Sequence, residues 1–555
     1  MKNLWATVKP YLPVFISALL STFFVYFPIT DSDIFWHLAA GKEMVAEKHF
    51  LYSDPFAYTL VSPAWIDLHW LFQLLCYGLY RIGAERALLI FKLLCVACTA
   101  TLLCLTRRHK RYVLFCALLT PLLFYEVRYL VDVRPVLVTM LFTALYVFLF
   151  EHARSTGKNR VVLWCVPLQI LWTNSQGLYP IGLFIIGAYW IECAAGFLRG
   201  KTGRPVLHMA VMTACAASCL VNPYGVSGLL LPFRLFTHIT PVVKNIYSLN
   251  ISENIPLFSL SGFDTGYRTL VIITALVTCL LFILNRKKIR VAHIILFAGV
   301  LFLASSAVRN VLLYSVIVIP IISWHAAALD FRGRLSALPL RRRRRLVFIG
   351  MALSVLALGG PVIRQVKVLS LYPAHSALSP FRFPEKITAF IKADPVPGNM
   401  FNDIRYGGYL IWHLYPEKKV FIDTRLVIRS PEFFAEYLAI SDHPELFTKV
   451  ADKFNITHAV LPSALFTRHM KLIKWLYNSG TWRLEYADGA SVLFVRSNIV
   501  RGHQIDLSND STIRTLRDSV KSQWRGSPAL CRENLQYLSA FLGALGFHPT
   551  AAMVN

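Results

Sequence analysis

Apolar runs near the length of a bilayer crossing recur through the first two thirds of this chain, and a soluble fold cannot bury so many of them. The runs at 14–27, 88–105, 135–150, 178–198, 270–284 and 346–362 carry at most one charge each. About 20 apolar residues in a helix span the hydrocarbon core. Buried helices of soluble proteins are shorter and rarely so numerous. Composition agrees, because 56% of the 555 residues are hydrophobic and only 16% are charged.

A net charge of +27 would point to nucleic acid in a soluble protein. Here the basic residues sit in short clusters between apolar runs, as in loops facing the cytoplasm, and no nucleic-acid partner is expected. The clusters are Arg107-Arg108-His109-Lys110-Arg111, residues 154–160, residues 199–204, Arg286-Lys287-Lys288-Ile289-Arg290, and Arg332 through 341–345. With Lys2 and Lys9 they share one side only if the stretch 65–79 does not cross. That stretch is amphipathic, carries Asp67, His69 and Gln73, and reads as a helix lying at the interface. Spans are then predicted near 11–30, 86–106, 112–127, 134–152, 161–175, 178–198, 206–222, 269–285, 291–308, 310–329 and 346–364, about eleven in all, with the N-terminus cytoplasmic and the C-terminus outside. Residues 1–10 precede the first run without a small-residue cleavage site and read as an uncleaved signal anchor. All but Cys531 of the eleven cysteines lie in the apolar part, and no spacing suggests a disulfide framework or a zinc site.

This topology collects the remaining polar residues on the outer face. The loop after the first span holds Asp31, Asp33, His37, Asp54, Asp67 and His69. Later outer turns supply Glu126, Arg128, Asp132, Arg134, Asn174, Gln176, Asn222, Glu253, Arg309 and Asn310. Several adjoining spans are short, which places these groups below the bilayer surface, where charges are tolerated if they line a water-filled cavity or pair. A polar cavity open to the outside is the expected site.

The chain divides on this reading into a transmembrane domain 1–364 with an outer loop 31–85 bearing interfacial helices, an extracytoplasmic α/β domain 365–497, and a polar, partly helical extension 498–555. In the second domain short apolar runs at 420–422 and 458–461 alternate with helical stretches at 431–440 and 464–476. Residues 481–495 read as a closing hairpin turning at Ala487-Asp488-Gly489. After 498 the chain is polar, then helical near 533–545. The fold class is mainly α: a polytopic membrane protein with a small soluble α/β domain at its C-terminus.

Asp31 and Asp33 can hold a divalent cation through oxygen ligands. Alternatively, one of them can serve as a general base toward a hydroxyl or amine, or the pair can simply cap the following helix. Arg128, Arg134 and Arg309 suit phosphate, which guanidinium binds bidentately; pairing with Glu126, Asp132 or lipid headgroups is the alternative. Asn174 with Gln176, and Asn222-Pro223-Tyr224-Gly225, are also ordinary turn chemistry. His37 and His69 are metal-ligand candidates or hydrogen-bonded interfacial histidines. In the outer domain Phe401-Asn402-Asp403 followed by Gly407-Gly408 reads as a strand end joined to a helix, and 420–422 with Asp423-Thr424-Arg425 as a second, acidic strand end, where Asp423 and Arg425 can also simply pair with each other.

The acidic pair in the first outer loop, the interfacial helices, the many spans and the outer C-terminal domain together resemble the GT-C superfamily of membrane glycosyltransferases. More narrowly, the chain is similar to a poorly characterised bacterial branch of it. The matching strings are Asp33-Ile34-Phe35-Trp36-His37-Leu38 with Gly41, Ser53-Asp54-Pro55-Phe56, Trp65 through His69-Trp70-Leu71, Arg134-Pro135, Asn222-Pro223-Tyr224-Gly225, Arg309-Asn310, Gly407-Gly408-Tyr409-Leu410 and Phe421-Ile422-Asp423-Thr424-Arg425. They run from about residue 20 to 497. Gln73 stands where relatives often carry Glu, and Gln176 departs from a usual Asn-x-His-Gly string, which puts any role of that His in doubt here.

The resemblance implies a glycosyltransferase that takes a sugar from a polyprenyl-phosphate-linked donor to a lipid, glycan or protein acceptor, outside a bacterial cytoplasmic (inner) membrane. By it, Asp33 or Asp31 is the base, Arg309 or Arg128 steadies the lipid phosphate, and Mg²⁺ or Mn²⁺ is the cation to expect if one is used. His37, Asp67, His69, Arg134, Asn174, Glu253 and Asn310 complete the expected substrate-binding set. A transporter, a lipid-linked oligosaccharide polymerase and a non-catalytic envelope assembly protein are the competing readings. A transporter would show inverted repeats and broken helices at the midplane, and neither is visible in the sequence.

Overall fold

The computed structural model describes residues 9–59, 64–200, 203–239, 246–259, 265–329, 339–372, 376–465, 467–499, 501 and 504–547. Residues 1–8 of the expected signal anchor, Arg332 and the last residues of the C-terminal extension lie outside them. The chain is mainly helical and forms two compact units. One comprises residues 1–26, 67–72 and 86–367, the other 27–66, 73–85 and 368–555. Most of the loop grouped with the membrane part in the sequence reading therefore belongs to the unit that holds the C-terminal residues.

Among the described residues six helices are long and apolar enough to cross a membrane, as a multi-pass membrane protein requires: Trp70–Leu105, Val136–Thr156, Pro180–Leu198, Gly266–Leu284, Val308–Ala328 and Phe348–Leu369. Shorter apolar helices are Leu12–Val25, Pro205–Ser218, Gly225–Leu235 and Val291–Ser306. Two of the predicted spans are short in the structure, one being Lys110–Glu126 and the other a 3-10 turn, Asn159–Trp164, that leads into Cys165–Thr173. The helix Gly225–Ile239 lies between the predicted spans 206–222 and 269–285, where no element was expected. Helix Val311–Ala328 is apolar on every side, which is what a helix surrounded by others needs. It packs on Lys110–Glu126, Val136–Thr156, Thr265–Leu284 and Val291–Ser306.

The long helix Trp70–Leu105 is interrupted. Gly83 (φ −154°, ψ 27°) and Ala84 (φ 49°, ψ −144°) leave helical space, so an amphipathic helix ends there and an apolar one begins. The break falls between the predicted interfacial stretch and the predicted span at 86–106. The amphipathic helix begins at Trp70 and not at Trp65, because 64–66 is extended, with Ala64 bridged to Ser53 and the Trp65 amide donating to Tyr52 O at 2.9 Å.

The second unit is built on a four-stranded mixed sheet in the order β1-β2-β4-β3, with β1 Asn399–Asn402, β2 Ile456–Pro462, β3 Trp482–Ala487 and β4 Ser491–Arg496. β1 and β2 are parallel, with Phe401 opposite Ala459, so the chain between them must cross over. It does so through helices Ile404–Leu414, Pro431–Asp442 and Leu446–Lys453. β3 and β4 form the expected hairpin, closed by Asp488 Oδ1 accepting from the amides of Ala490 and Ser491. The run 420–422, read as a strand, is not one. Val420 makes only an isolated bridge to Ala57, because the loop after the first span supplies its partner. The polar stretch after 498 contains a second helix, Asp510–Gln523, besides Pro528–Ala544. Its buried face is only Ile513 and Val520, too thin a signal to read from composition.

Candidate active site

In the second unit, Asp31 and Asp33 stand at the start of helix Asp33–Glu47. Asp31 Oδ1 accepts the Asp33 amide at 2.9 Å, and a carboxylate in the first helical turn is favoured by the exposed amides there. Both residues are half-buried. Asp33 Oδ1 accepts a hydrogen bond from the Thr424 hydroxyl.

Thr424 is held there by a scaffold on both sides. Asn402 Oδ1 accepts the Phe421 amide at 2.8 Å, and its Nδ2 donates to Ile422 O at 2.8 Å. The Val420 amide donates to Phe56 O at 3.0 Å. The pair Gly407-Gly408 lets helix Ile404–Leu414 come close. A Cβ at 407 would lie 2.4 Å from Ile422 O, and one at 408 would lie 2.3 Å from Ser32 O.

Behind Thr424, Arg425 makes a bidentate pair with Asp423 (2.8 and 2.8 Å) and reaches Asp54 at 2.7 Å. All three side chains are buried, and the guanidinium lies over the rings of Trp65 (4.7 Å), Phe56 (5.2 Å) and Trp36 (5.7 Å). Burial would raise the Asp423 carboxyl, but Arg425 overcomes it and holds it below the ordinary value. Burial alone would discharge Arg425, and the two carboxylates keep it charged. His37, also buried, stacks on Trp36 with ring centroids 3.6 Å apart and takes a hydrogen bond from Gln73 Nε2 at 3.3 Å. It is placed as a packed core histidine.

A second buried network lies nearby in the same unit. Asp403, 3.1 Å from His469 Nε2, starts helix Ile404–Leu414 by accepting the Arg405 amide at 2.8 Å. Tyr437 and Ser441 hold the two nitrogens of the His469 ring at 3.1 Å each.

In the first unit, Asp67 is buried and accepts the His69 amide at 3.0 Å, with His69 Nδ1 3.2 Å away. His69 Nε2 lies 3.3 Å from Gln176 Oε1. These three therefore form one chain of contacts. Asn174 works beside it structurally: its Oδ1 accepts from Trp70 Nε1 at 2.7 Å, and its Nδ2 donates to Ile170 O and Val221 O.

Arg134 and Glu253 make a 2.5 Å ion pair. The Val308 amide donates to Ile255 O at 3.2 Å, which brings Arg309 to the same carboxylate. Burial would raise Glu253, and Arg134, then Arg309, outweigh it and hold the group below the ordinary value. Arg309 is exposed, and Asn310 turns away to donate to Leu303 O at 2.9 Å. Arg128 lies flat on Tyr125 (4.0 Å) and Tyr129 (4.4 Å) and donates to Tyr125 O. Asp132 faces buried Lys92 at 3.9 Å. Asn222 Oδ1 accepts the Tyr224 amide at 2.8 Å, which is turn chemistry.

Among the described residues no group of three or more His, Cys, Asp or Glu side chains is placed to hold a metal ion. The Asp31–Asp33 pair fits only a cation that takes most of its shell from water or substrate, as Mg²⁺ commonly does. Two features escaped the sequence reading. Thr424 was only one letter of a matching string, and the Asp54–Arg425 pair joins segments too distant for spacing to reveal.

No family model and no curated protein matches the chain. Solved structures do. The archaeal oligosaccharyltransferase AglB from Archaeoglobus fulgidus, in complex with an inhibitory peptide and a dolichol-phosphate, is similar with a TM-score of 0.56 at 11% identity, over 90% of this chain and 76% of that one. The apo form of the Archaeoglobus fulgidus oligosaccharyltransferase gives 0.55 at 12% identity over 93% and 78%. Its complex with zinc and sulfate gives 0.53 at 12% identity over 96% and 85%. At such identities the likeness is one of fold alone.

Proposed function

We propose that this chain is a membrane glycosyltransferase that moves a sugar from a polyprenyl-phosphate-linked donor to a lipid, glycan or protein acceptor at the extracytoplasmic face of a bacterial cytoplasmic membrane. The observation that carries this reading is a carboxylate pair at a helix start, with Asp33 held by Thr424, in a chain whose fold is similar to that of an oligosaccharyltransferase in complex with a dolichol-phosphate.

In this reaction the acceptor oxygen or nitrogen attacks the anomeric carbon and the bond from that carbon to the phosphate oxygen breaks. The electron pair leaves with the polyprenyl phosphate. The acceptor's proton passes to Asp33, or to Asp31, and then to water. The Thr424 hydrogen bond orients Asp33, and a positioned base contributes about 10²–10⁴-fold. Guanidinium groups suit a phosphate leaving group. A Mg²⁺ or Mn²⁺ ion would be held by Asp31 and Asp33, and would supply positive charge toward phosphate oxygens.

The test compares Asp33→Asn and Asp31→Asn with wild type at matched protein level, by mass spectrometry of cell-surface glycans and of copurifying lipid. Asn keeps the shape and most hydrogen bonds, so folding survives while the base is lost. Asp33→Asn is expected to abolish the product. Unchanged glycans in both variants, in a strain where deleting the gene alters them, remove these carboxylates from the mechanism. A chelator arm on the purified protein decides whether the cation is required.

A further inference from the structure

The proposed chemistry leaves the basic end of the transmembrane unit unused. A cavity of about 1360 Å³ opens there. Its lining comes from five places on the chain: the connections after Leu105, Leu198 and Leu284, and the ends of helices Val136–Thr156 and Val311–Ala328. Arg107, Arg111, Arg199, Arg204, Lys287 and Lys288 line it. Arg154 and Arg290 line it too, but both are drawn to Glu192, at 4.0 and 2.6 Å. Glu192 is the single carboxylate among the described lining residues. The wall below the cations is apolar and aromatic, with Phe150, Tyr189 and Trp324.

Arg107 shows what this arrangement lacks. Its guanidinium rests on Trp324 at 5.1 Å, and its Nη1 is buried with no hydrogen-bond partner. A buried charged donor without an acceptor is costly, and an anion in the cavity relieves that cost. Cations so close together also repel, as His109 records. Burial, and then Arg107 and Arg111, push its imidazole below its ordinary value.

We propose that this cavity is a binding site for a phosphate-bearing anion, separate from the acidic pair, with guanidinium groups on the phosphate and the aromatic wall against whatever the phosphate is attached to. Clustered arginines bind phosphate through paired charge-assisted bonds. Basic pockets between transmembrane helices bind anionic headgroups in the same way. The phosphate can be that of a membrane phospholipid or of a soluble diphosphate, and the two are separable.

The experiment uses delipidated full-length protein in neutral detergent. Thermal stability and native mass spectra are recorded with cardiolipin, phosphatidylglycerol, phosphatidylcholine or inorganic pyrophosphate. Arg107→Gln and the exposed double variant Arg199→Gln/Arg204→Gln are run beside wild type, with Arg107→Lys as the charge-retaining control. Saturable stabilisation by the anionic lipids but not by phosphatidylcholine, weakened about tenfold or more in each glutamine variant, identifies a phospholipid. The same pattern with pyrophosphate identifies a soluble ligand. Equal stabilisation by all lipids, no response to any probe, or affinities unchanged in the glutamine variants overturns the proposal.

Discussion

Thr424 donates its hydroxyl hydrogen to Asp33 Oδ1 across 391 positions of sequence, so the orientation of the proposed base is set by the C-terminal segment and not by its own loop. Thr424→Val keeps the shape and deletes the donor. A hydrogen bond to a charged group contributes about 1.5–3 kcal/mol. Turnover is therefore expected to fall about tenfold or more, with a lowered unfolding midpoint beside it, and Thr424→Ser should restore both. Product formation by purified protein, measured beside a thermal melt, checks this.

Arg425 gives a larger effect on a different observable. Arg425→Met leaves Asp423 and Asp54 buried without their cation, a kind of loss that costs about 3–5 kcal/mol. Arg425→Lys is expected to fail as well, because a single ammonium cannot reproduce the bidentate fork. Limited proteolysis of the full-length protein should show residues 27–66 and 420–430 becoming cleavable together.

Acid should loosen the second unit in two stages. Burial, with help from Lys418 and Arg501, holds His458 down to about 3. Burial and Lys392 hold His413 down to about 4. A histidine depressed on folding gives stability that is complete above its unfolded value near 6.5 and lost as pH falls toward its folded one. Asp403 and Asp423 are also depressed, so their contribution is complete above the ordinary value of 3.8 and lost below it. Hydrogen exchange at pH 7, 5 and 3 should show amides of β1 and β2 opening first between pH 6.5 and 4. Protection unchanged down to pH 4 would contradict the histidine stage.

Gly408→Ala places a methyl against Ser32 O, a backbone atom that cannot move alone. Overpacking of this kind costs about 1–3 kcal/mol, and here it displaces the start of the helix carrying Asp33. Loss of activity should exceed loss of stability. Gly350→Ala, where nothing lies within 4 Å, is the matched control and should leave both unchanged.

Much of the membrane unit was legible because hydropathy is a local signal. The apolar runs became helices, and the amphipathic stretch before residue 83 separated from the span after it. The turn role of Asn222 and the pairing of Asp423 with Arg425 were likewise readable from neighbouring letters. What could not be read depends on contacts between distant segments. Val420 looks like a strand residue but makes only an isolated bridge to Ala57, far earlier in the chain. Asp54 gave no hint that its partner lies 371 residues downstream. Helix Asp510–Gln523 stayed hidden because its buried face is two residues wide.

That 371-residue separation also sets a clock. At about 5–20 residues per second of synthesis, Asp54 waits about 20–70 s before the ribosome makes Arg425. Throughout that interval Trp36, Phe56 and Trp65 have no guanidinium to cover, and their loop carries an unneutralised carboxylate among aromatic rings. A nascent chain stopped before residue 425 thus exposes an adhesive surface that the full chain closes. Premature termination before that codon should be toxic or lead to swift degradation.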